Sequence, residues 1–277
     1  MLSRHSLHRA ARRLAGRLRR DAGRYDHAAR EARRHLTRKR VHDLRILTRR
    51  MRAAAGLAGG LEDAGTFRRL RRLLRRTGRI LGRRRTLDVA IRDYAELAGS
   101  RVPRSLRELH RESRAAVLGQ LRRDRRMPIV REARNGAGRL EQASPGDARP
   151  VRRLLERRAR RLIRAFEDTG RSRDQEALHL LRIEAKKTRY LLEILRRLGL
   201  HAAPEAERKL RRLQRLLGRA RDFDILLTLV RTHPLKGKAL QVMAHRRASR
   251  LRDLAMPVKG PAVREAVAAL RRAQASA

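Results

Sequence analysis

Two segments of this chain carry the same arrangement of one histidine followed by cations. VHDLRILTRRMR, from Val41 to Arg52, sets His42 ahead of Arg45, Arg49, Arg50 and Arg52. LHLLRIEAKKTR, from Leu178 to Arg189, sets His179 ahead of Arg182, Lys186, Lys187 and Arg189. In both, the cations stand at the same four distances after the histidine. Guanidinium groups fork onto phosphate oxygens through paired charge-assisted hydrogen bonds, so a row of them along a helix makes a track for a repeating anion. Such binding releases condensed counterions and weakens steeply with salt. A single charge run ordinarily means a solvated face. Two runs in matched register point instead to a shared ligand.

Each histidine shares its face with three cations, which lowers its pKa in an empty site; a bound polyanion raises it again, so binding takes up protons. Phosphate contact is the expected role, with orientation of a neighbouring cation from behind as the alternative. Metal ligation fits poorly beside so many positive charges. Asp222-x-Asp224 has the look of a magnesium motif, but its counterpart is Thr86-x-Asp88. A cap or an arginine-orienting carboxylate is the better expectation. The sequence has no glycine-rich phosphate loop, H-E-x-x-H or nucleophile elbow. No catalytic residue, metal site or cofactor is expected.

These side chains need helices to align them. At about 100° per residue, the histidine and the cations three, seven and ten places on fall within a sector of about 80°. Leu44, Leu47, Met51 and Ala54 lie opposite in the first copy, and Leu181, Thr188, Leu191 and Leu195 in the second. Thr37 and Asp174 are the expected N-caps. The first anchor helix spans about Arg38 to Leu57, stopped by Gly59-Gly60; the second spans about Gln175 to Leu198, ended by Gly199. A second repeated element follows each anchor: LRRTGRILGRRRTLDV from Leu74 and LRRLQRLLGRARDFDI from Leu210. It sets Arg72, Arg76, Arg79 and Arg83 on one narrow face, matched by Arg208, Arg212, Arg215 and Arg219. Leu74, Leu81, Leu210 and Leu217 point the other way. If the cationic fronts share a wall, they form a basic groove or channel with pseudo-two-fold symmetry.

Helical periodicity also covers most of residues 1–35, with Gly16 and Gly23 as places to fray or bend. Further helices are expected over about 67–97, 104–126, 151–168, 204–232, 238–255 and 262–274. No stretch alternates with period two, so the expected class is all-α. The Gly- and Pro-rich run NGAGRLEQASPGDARP makes residues 135–147 the expected connection between halves 1–134 and 148–277.

Composition narrows the function further. The chain has 277 residues, 41% of them hydrophobic and 2% aromatic, with net charge +47 from 75 Lys+Arg against 28 Asp+Glu. Regular apolar stripes argue against disorder. A compact body with this charge repels itself, so a polyanion should both bind and stabilise it. Scarce aromatics favour a ligand without bases to stack on. There is no cysteine, which suits a reducing cytosol, and no apolar run approaches a membrane span. The basic, acid-poor N-terminus reads as a first helix with a solvated face, the alternative being a transit peptide.

At the paired H-x-x-R-x-x-x-[RK]-[RK]-x-[RK] segments of His42 and His179, and at the paired L-G-x-x-R elements of Leu81 and Leu217, the sequence resembles the CHAD family, the conserved histidine α-helical domain. The first copy departs from the family by carrying Arg85-Thr86 where the second keeps Arg221-Asp222. The resemblance implies two four-helix bundles related by pseudo-two-fold symmetry, binding of inorganic polyphosphate by the basic residues, and association with polyphosphate granules. The expectation is thus a non-enzymatic polyphosphate binder. Alternatives are a sequence-nonspecific nucleic-acid binder, a polyphosphate-processing enzyme and, more weakly, a membrane-surface binder.

Overall fold

The computed structural model describes residues 4–62, 65–97, 102–124, 128–143, 149–171, 175–200 and 204–232, with Glu265 and Ala268 beyond. The described residues form helices and no strand: α1 (Arg4–Arg34), α2 (Arg38–Leu61), α3 (Arg68–Leu97), α4 (Arg104–Arg123), α5 (Pro128–Gln142), α6 (Arg149–Arg171), α7 (Gln175–Leu198) and α8 (Pro204–Thr232). The helix expected over 238–255 lies outside the described residues, as does the Asp174 cap; of the one expected over 262–274, Glu265 and Ala268 are described, both helical.

The local signals act mostly as expected. Thr37 Oγ1 accepts from the Arg40 backbone N–H at 3.2 Å and starts α2. Gly199 adopts φ +74 after α7, and the Leu200 N–H closes onto the Leu195 carbonyl at 3.0 Å, a left-handed C-terminal turn that a side chain would strain. Other glycines do not break helices. α1 runs unbroken through Gly16 and Gly23, and α2 continues past Gly59-Gly60 to Leu61.

The expected connection over 135–147 needs correction, because α5 runs through its first half. Ile129, Val130, Ala133, Gly136, Ala137 and Leu140 are all buried, at the spacing of one helix face. Gly136 is there for close packing: a Cβ at this position would lie 2.5 Å from Phe67 Cε1. Helix α5 ends at Gln142 and α6 begins at Arg149.

In the first half, α1, α2 and α3 pack in succession; α4 lies on α1 and α3, and α5 on α1, α2 and α3. Helices α4 and α5 do not pack on each other. Tyr25 on α1 ties down the end of α4, its hydroxyl donating to Asp124 Oδ2 at 2.7 Å, while Gln120 Nε2 donates to Asp124 Oδ1 at 3.0 Å. In the second half α7 packs between α6 and α8. The halves meet through α2 on α7, α3 on α8, α2 on α6 and α1 on α7. Exchanging α1, α2, α3 for α6, α7, α8 maps this set onto itself, the pattern a two-fold arrangement generates.

The apolar backs expected from the repeats are buried: Leu44, Met51 and Ala54 on α2, Leu181, Leu191 and Leu195 on α7, with Thr188, and Leu74, Leu81, Leu210 and Leu217 on α3 and α8. Gly136→Ala is expected to destabilise the fold by about 1–3 kcal/mol through the Phe67 clash, despite alanine's better helix propensity. A thermal melt checks this, and an unchanged or higher Tm would contradict it.

Candidate functional site

Helices α2 and α7 are surrounded by neighbours, so each must turn its polar side inward as well as its apolar side. Between them and α3 and α6 lies a cavity of about 1240 Å³. Among the described residues its lining holds thirteen Lys and Arg side chains, both motif histidines and no carboxylate. His42, Arg45, Arg49 and Arg52 come from α2; His179, Arg182, Lys186 and Lys187 from α7. All of these are partly buried. Arg71, Arg75 and Arg85 of α3 and Arg153, Arg157, Arg158 and Arg161 of α6 complete the wall. Arg71, Arg75, Arg153, Arg157 and Arg161 are exposed, so they form a rim around the deeper cations.

Crowding of like charges marks the electrostatics. Burial, then Arg49, Arg182 and Arg85, pull Arg45 down to about 9, with Tyr190 opposing. Its Nε is buried without a hydrogen-bond partner. Arg52 is lowered by burial and by Arg49, Arg75, Arg158 and Arg71, so repulsion reaches across α2, α3 and α6. His42 is lowered by burial first and then by Arg85, Arg45 and Arg49, with Asp43 opposing. In each, burial is the largest cause and neighbouring cations add to it, so a nearby anion would favour the positive form.

Of the residues singled out in sequence, the two motif faces supply eight of the cavity's lining groups. Arg50 does not line it; it approaches α1, where Arg17 is lowered by burial, Arg197 and Arg50. Arg189 is held elsewhere too. Its Nε donates to Gln214 at 3.0 Å, its Nη1 donates to Glu193 at 3.3 Å, and its guanidinium lies 4.3 Å from the Tyr190 ring centre.

The expected arginine faces of α3 and α8 do not reach the cavity. Arg72, Arg76, Arg79 and Arg83, like Arg208, Arg212 and Arg215, are exposed on the outside. The side chain of Arg219 lies outside the described residues. The reason is angular. Leu70, Leu74, Thr77, Leu81 and Asp88 form the buried stripe of α3, and residues diametrically opposite such a stripe face bulk water. The cavity wall is instead the flank, about a quarter turn from the core, carrying Arg71, Arg75, Gly82 and Arg85. Glycines mark that flank: a Cβ at Gly78 would lie 3.4 Å from Thr48 Cγ2, and one at Gly82 would lie 3.9 Å from Arg45 Nε.

The α6 arginines belong to no repeated register, which is why motif spacing missed them. A signal was present, since Arg153, Arg157 and Arg161 recur at helical spacing beside the buried Val151, Leu155 and Leu162. Where α6 and α7 meet α2, Gly56, Gly59 and Gly60 also line the cavity. In register with Gly56, α7 carries Glu193, which accepts from Arg189 and Arg197. In register with Arg158, α1 carries the buried Asp21, paired with Arg17 at 3.5 Å. Exposed arginines of α6 thus rim the cavity, while the buried carboxylates Asp21 and Glu193 stand at the positions in register with Arg158 and Gly56.

Asp88 orients arginine rather than metal: Arg84 Nε donates to its Oδ1 at 3.0 Å and His110 Nε2 lies 2.9 Å from the same oxygen. The side chains of Asp222 and Asp224 lie outside the described residues. Among the described residues no group of three or more His, Asp or Glu could hold a metal, and no helix is long and apolar enough to cross a membrane.

Comparison with known proteins agrees with the architecture. A family model described as the CHAD domain matches residues 17–231. The structure is similar to the crystal structure of the CHAD domain from the plant Ricinus communis, at 21% sequence identity and a TM-score of 0.59, over 94% of this chain and 91% of that one. At that identity the likeness speaks to fold alone. No curated protein matches the chain.

Two outcomes follow for the ligand-free protein. Arg45→Met removes a crowded, partly buried charge and is expected to raise Tm at low salt, by about 1 kcal/mol or more of stability; a lower Tm would contradict the repulsion. His42 has its pKa lowered on folding, so the unfolded chain binds the proton first. Stability is therefore expected to fall as pH drops below about 6.5, levelling off once the folded His42 also protonates. Denaturant titrations of wild type and His42→Gln measure this contribution, which should vanish in the variant.

Proposed function

Because the chain belongs to the CHAD domain family and gathers thirteen cations around one cavity, we propose that it binds inorganic polyphosphate without processing it. One observation carries the reading: the two His/Arg/Lys motif faces, distant in sequence, line the same cavity, with no carboxylate among the described lining groups. A phosphate chain carries charge at every repeat and presents oxygens along its length. It therefore matches cations arrayed on two packed helices better than a compact anion does. His42 contacts or adjoins the chain and takes up a proton when the chain binds.

The cavity favours a polyanion without bases. Tyr190 is its one aromatic lining residue among those described, so a nucleic acid would find charge there but little stacking. Among the described residues the lining supplies no carboxylate to activate water, which supports binding over hydrolysis. Polyphosphate granules, with which the family is associated, are the proposed place of action, and the outward Arg72 and Arg208 faces are not needed for ligand capture.

Arg45→Glu with Arg182→Glu is expected to abolish binding of long-chain polyphosphate at physiological salt, with far-UV circular dichroism unchanged. Arg72→Glu with Arg76→Glu makes the same change in net charge on the outer face and is expected to weaken binding by less than about threefold. Titration calorimetry at several salt concentrations, with duplex and single-stranded DNA as competitors at matched phosphate, decides the matter. Equal losses in both pairs would mean that bulk charge alone holds the ligand. Competition by DNA at equal phosphate would favour a nucleic-acid binder.

A further inference from the structure

One carboxylate stands against the cavity wall without being part of its lining. Glu184 lies on α7, with its side chain 12% exposed. Lys187 Nζ donates to its Oε1 at 2.5 Å, and Arg158 Nη1 of α6 lies 3.5 Å from its Oε2. Both partners line the cavity. In the first copy the equivalent position is Leu47, so this carboxylate is no part of the repeated cationic face. Two oxygens of one anionic group held between an arginine and a lysine on adjacent helices is also how a bound phosphate group would sit.

Resting on the polyphosphate reading, we propose that Glu184 is a built-in competitor for the ligand. It occupies Arg158 and Lys187 while the cavity is empty, and a bound chain must displace it or lie beside it. The carboxylate acts in opposite directions on the two states. In the free protein it offsets repulsion around Arg158, whose pKa is lowered by burial and by Arg161 and Arg71 while Glu184 raises it. In the complex it repels the ligand and withholds two cations. Glu184 therefore favours anions that engage α2 and α7 along their length over small anions that can only trade places with it.

Glu184→Gln keeps the volume and one acceptor oxygen while removing the charge. Glu31→Gln is the control: Glu31 lies on α1, accepts from Arg34 and Arg40, does not line the cavity, and its loss changes net charge equally. For long-chain polyphosphate, Glu184→Gln is expected to tighten binding about five- to tenfold and to lower the ligand-free Tm, while Glu31→Gln stays within about twofold of wild type. Tripolyphosphate should gain more than the long chain. Unchanged or weaker binding by Glu184→Gln would overturn the proposal and make Glu184 a positioning residue for Arg158 and Lys187. Equal gains in both variants would overturn it in favour of net charge. Wild-type protein that ignores polyphosphate sinks the underlying reading and this one with it; wild type that binds while Glu184→Gln gains nothing sinks this one alone.

Discussion

Mutual repulsion among guanidinium groups in a partly buried cavity is the constraint that the rest of this structure must satisfy. At close range two such charges oppose each other by several kcal/mol in a protein-like medium, far more than in open water. Arg45 and Arg52 feel that repulsion from three or four neighbours each. The apolar backs of the same helices bear the load: Leu44, Met51, Leu181 and Leu195 are buried against neighbouring helices on the side away from the charges. That packing keeps the cations gathered on the cavity wall, where a counter-anion would relieve the repulsion.

Carboxylates are placed accordingly. Many pair along the outer surface within one helix, as in Arg30 with Asp26, Lys39 with Asp43 and Arg104 with Glu108. Such exposed pairs add little stability, but they lower the charge of the exterior and leave the cavity positive. Asp21 and Glu193 do heavier duty, neutralising the side of the central helix pair that faces away from α6. The repeat differs at single positions here: Gly56 of α2 lines the cavity where α7 carries Glu193, and Arg158 of α6 lines it where α1 carries Asp21.

Much of this was legible in the sequence, and each miss has a physical cause. The matched registers at His42 and His179 identified the cavity-lining cations of α2 and α7 because both helices are enclosed, so a residue opposite the apolar stripe still faces protein. The same logic failed for Arg72 and Arg208, whose helices have an outer side, and opposite the stripe there means open solvent. Glycine misled in the same way. Gly136 and Gly60 read as turn residues, whereas Gly136 admits the Phe67 ring and Gly60 leaves room in the cavity beside Pro150. A glycine's reason is the space around it, which local sequence does not state. The α6 arginines were missed because repeat spacing reports only what both halves share, and the position in register with Arg158 is Asp21.

The central claim is that the paired motif faces hold the phosphate chain inside the cavity. Crystals grown with medium-chain polyphosphate test it most directly. The account predicts continuous density between α2 and α7, within hydrogen-bonding distance of Arg45, Arg49 and Arg182. An empty cavity, with chain density running instead along the outer arginines of α3 and α8, would contradict it.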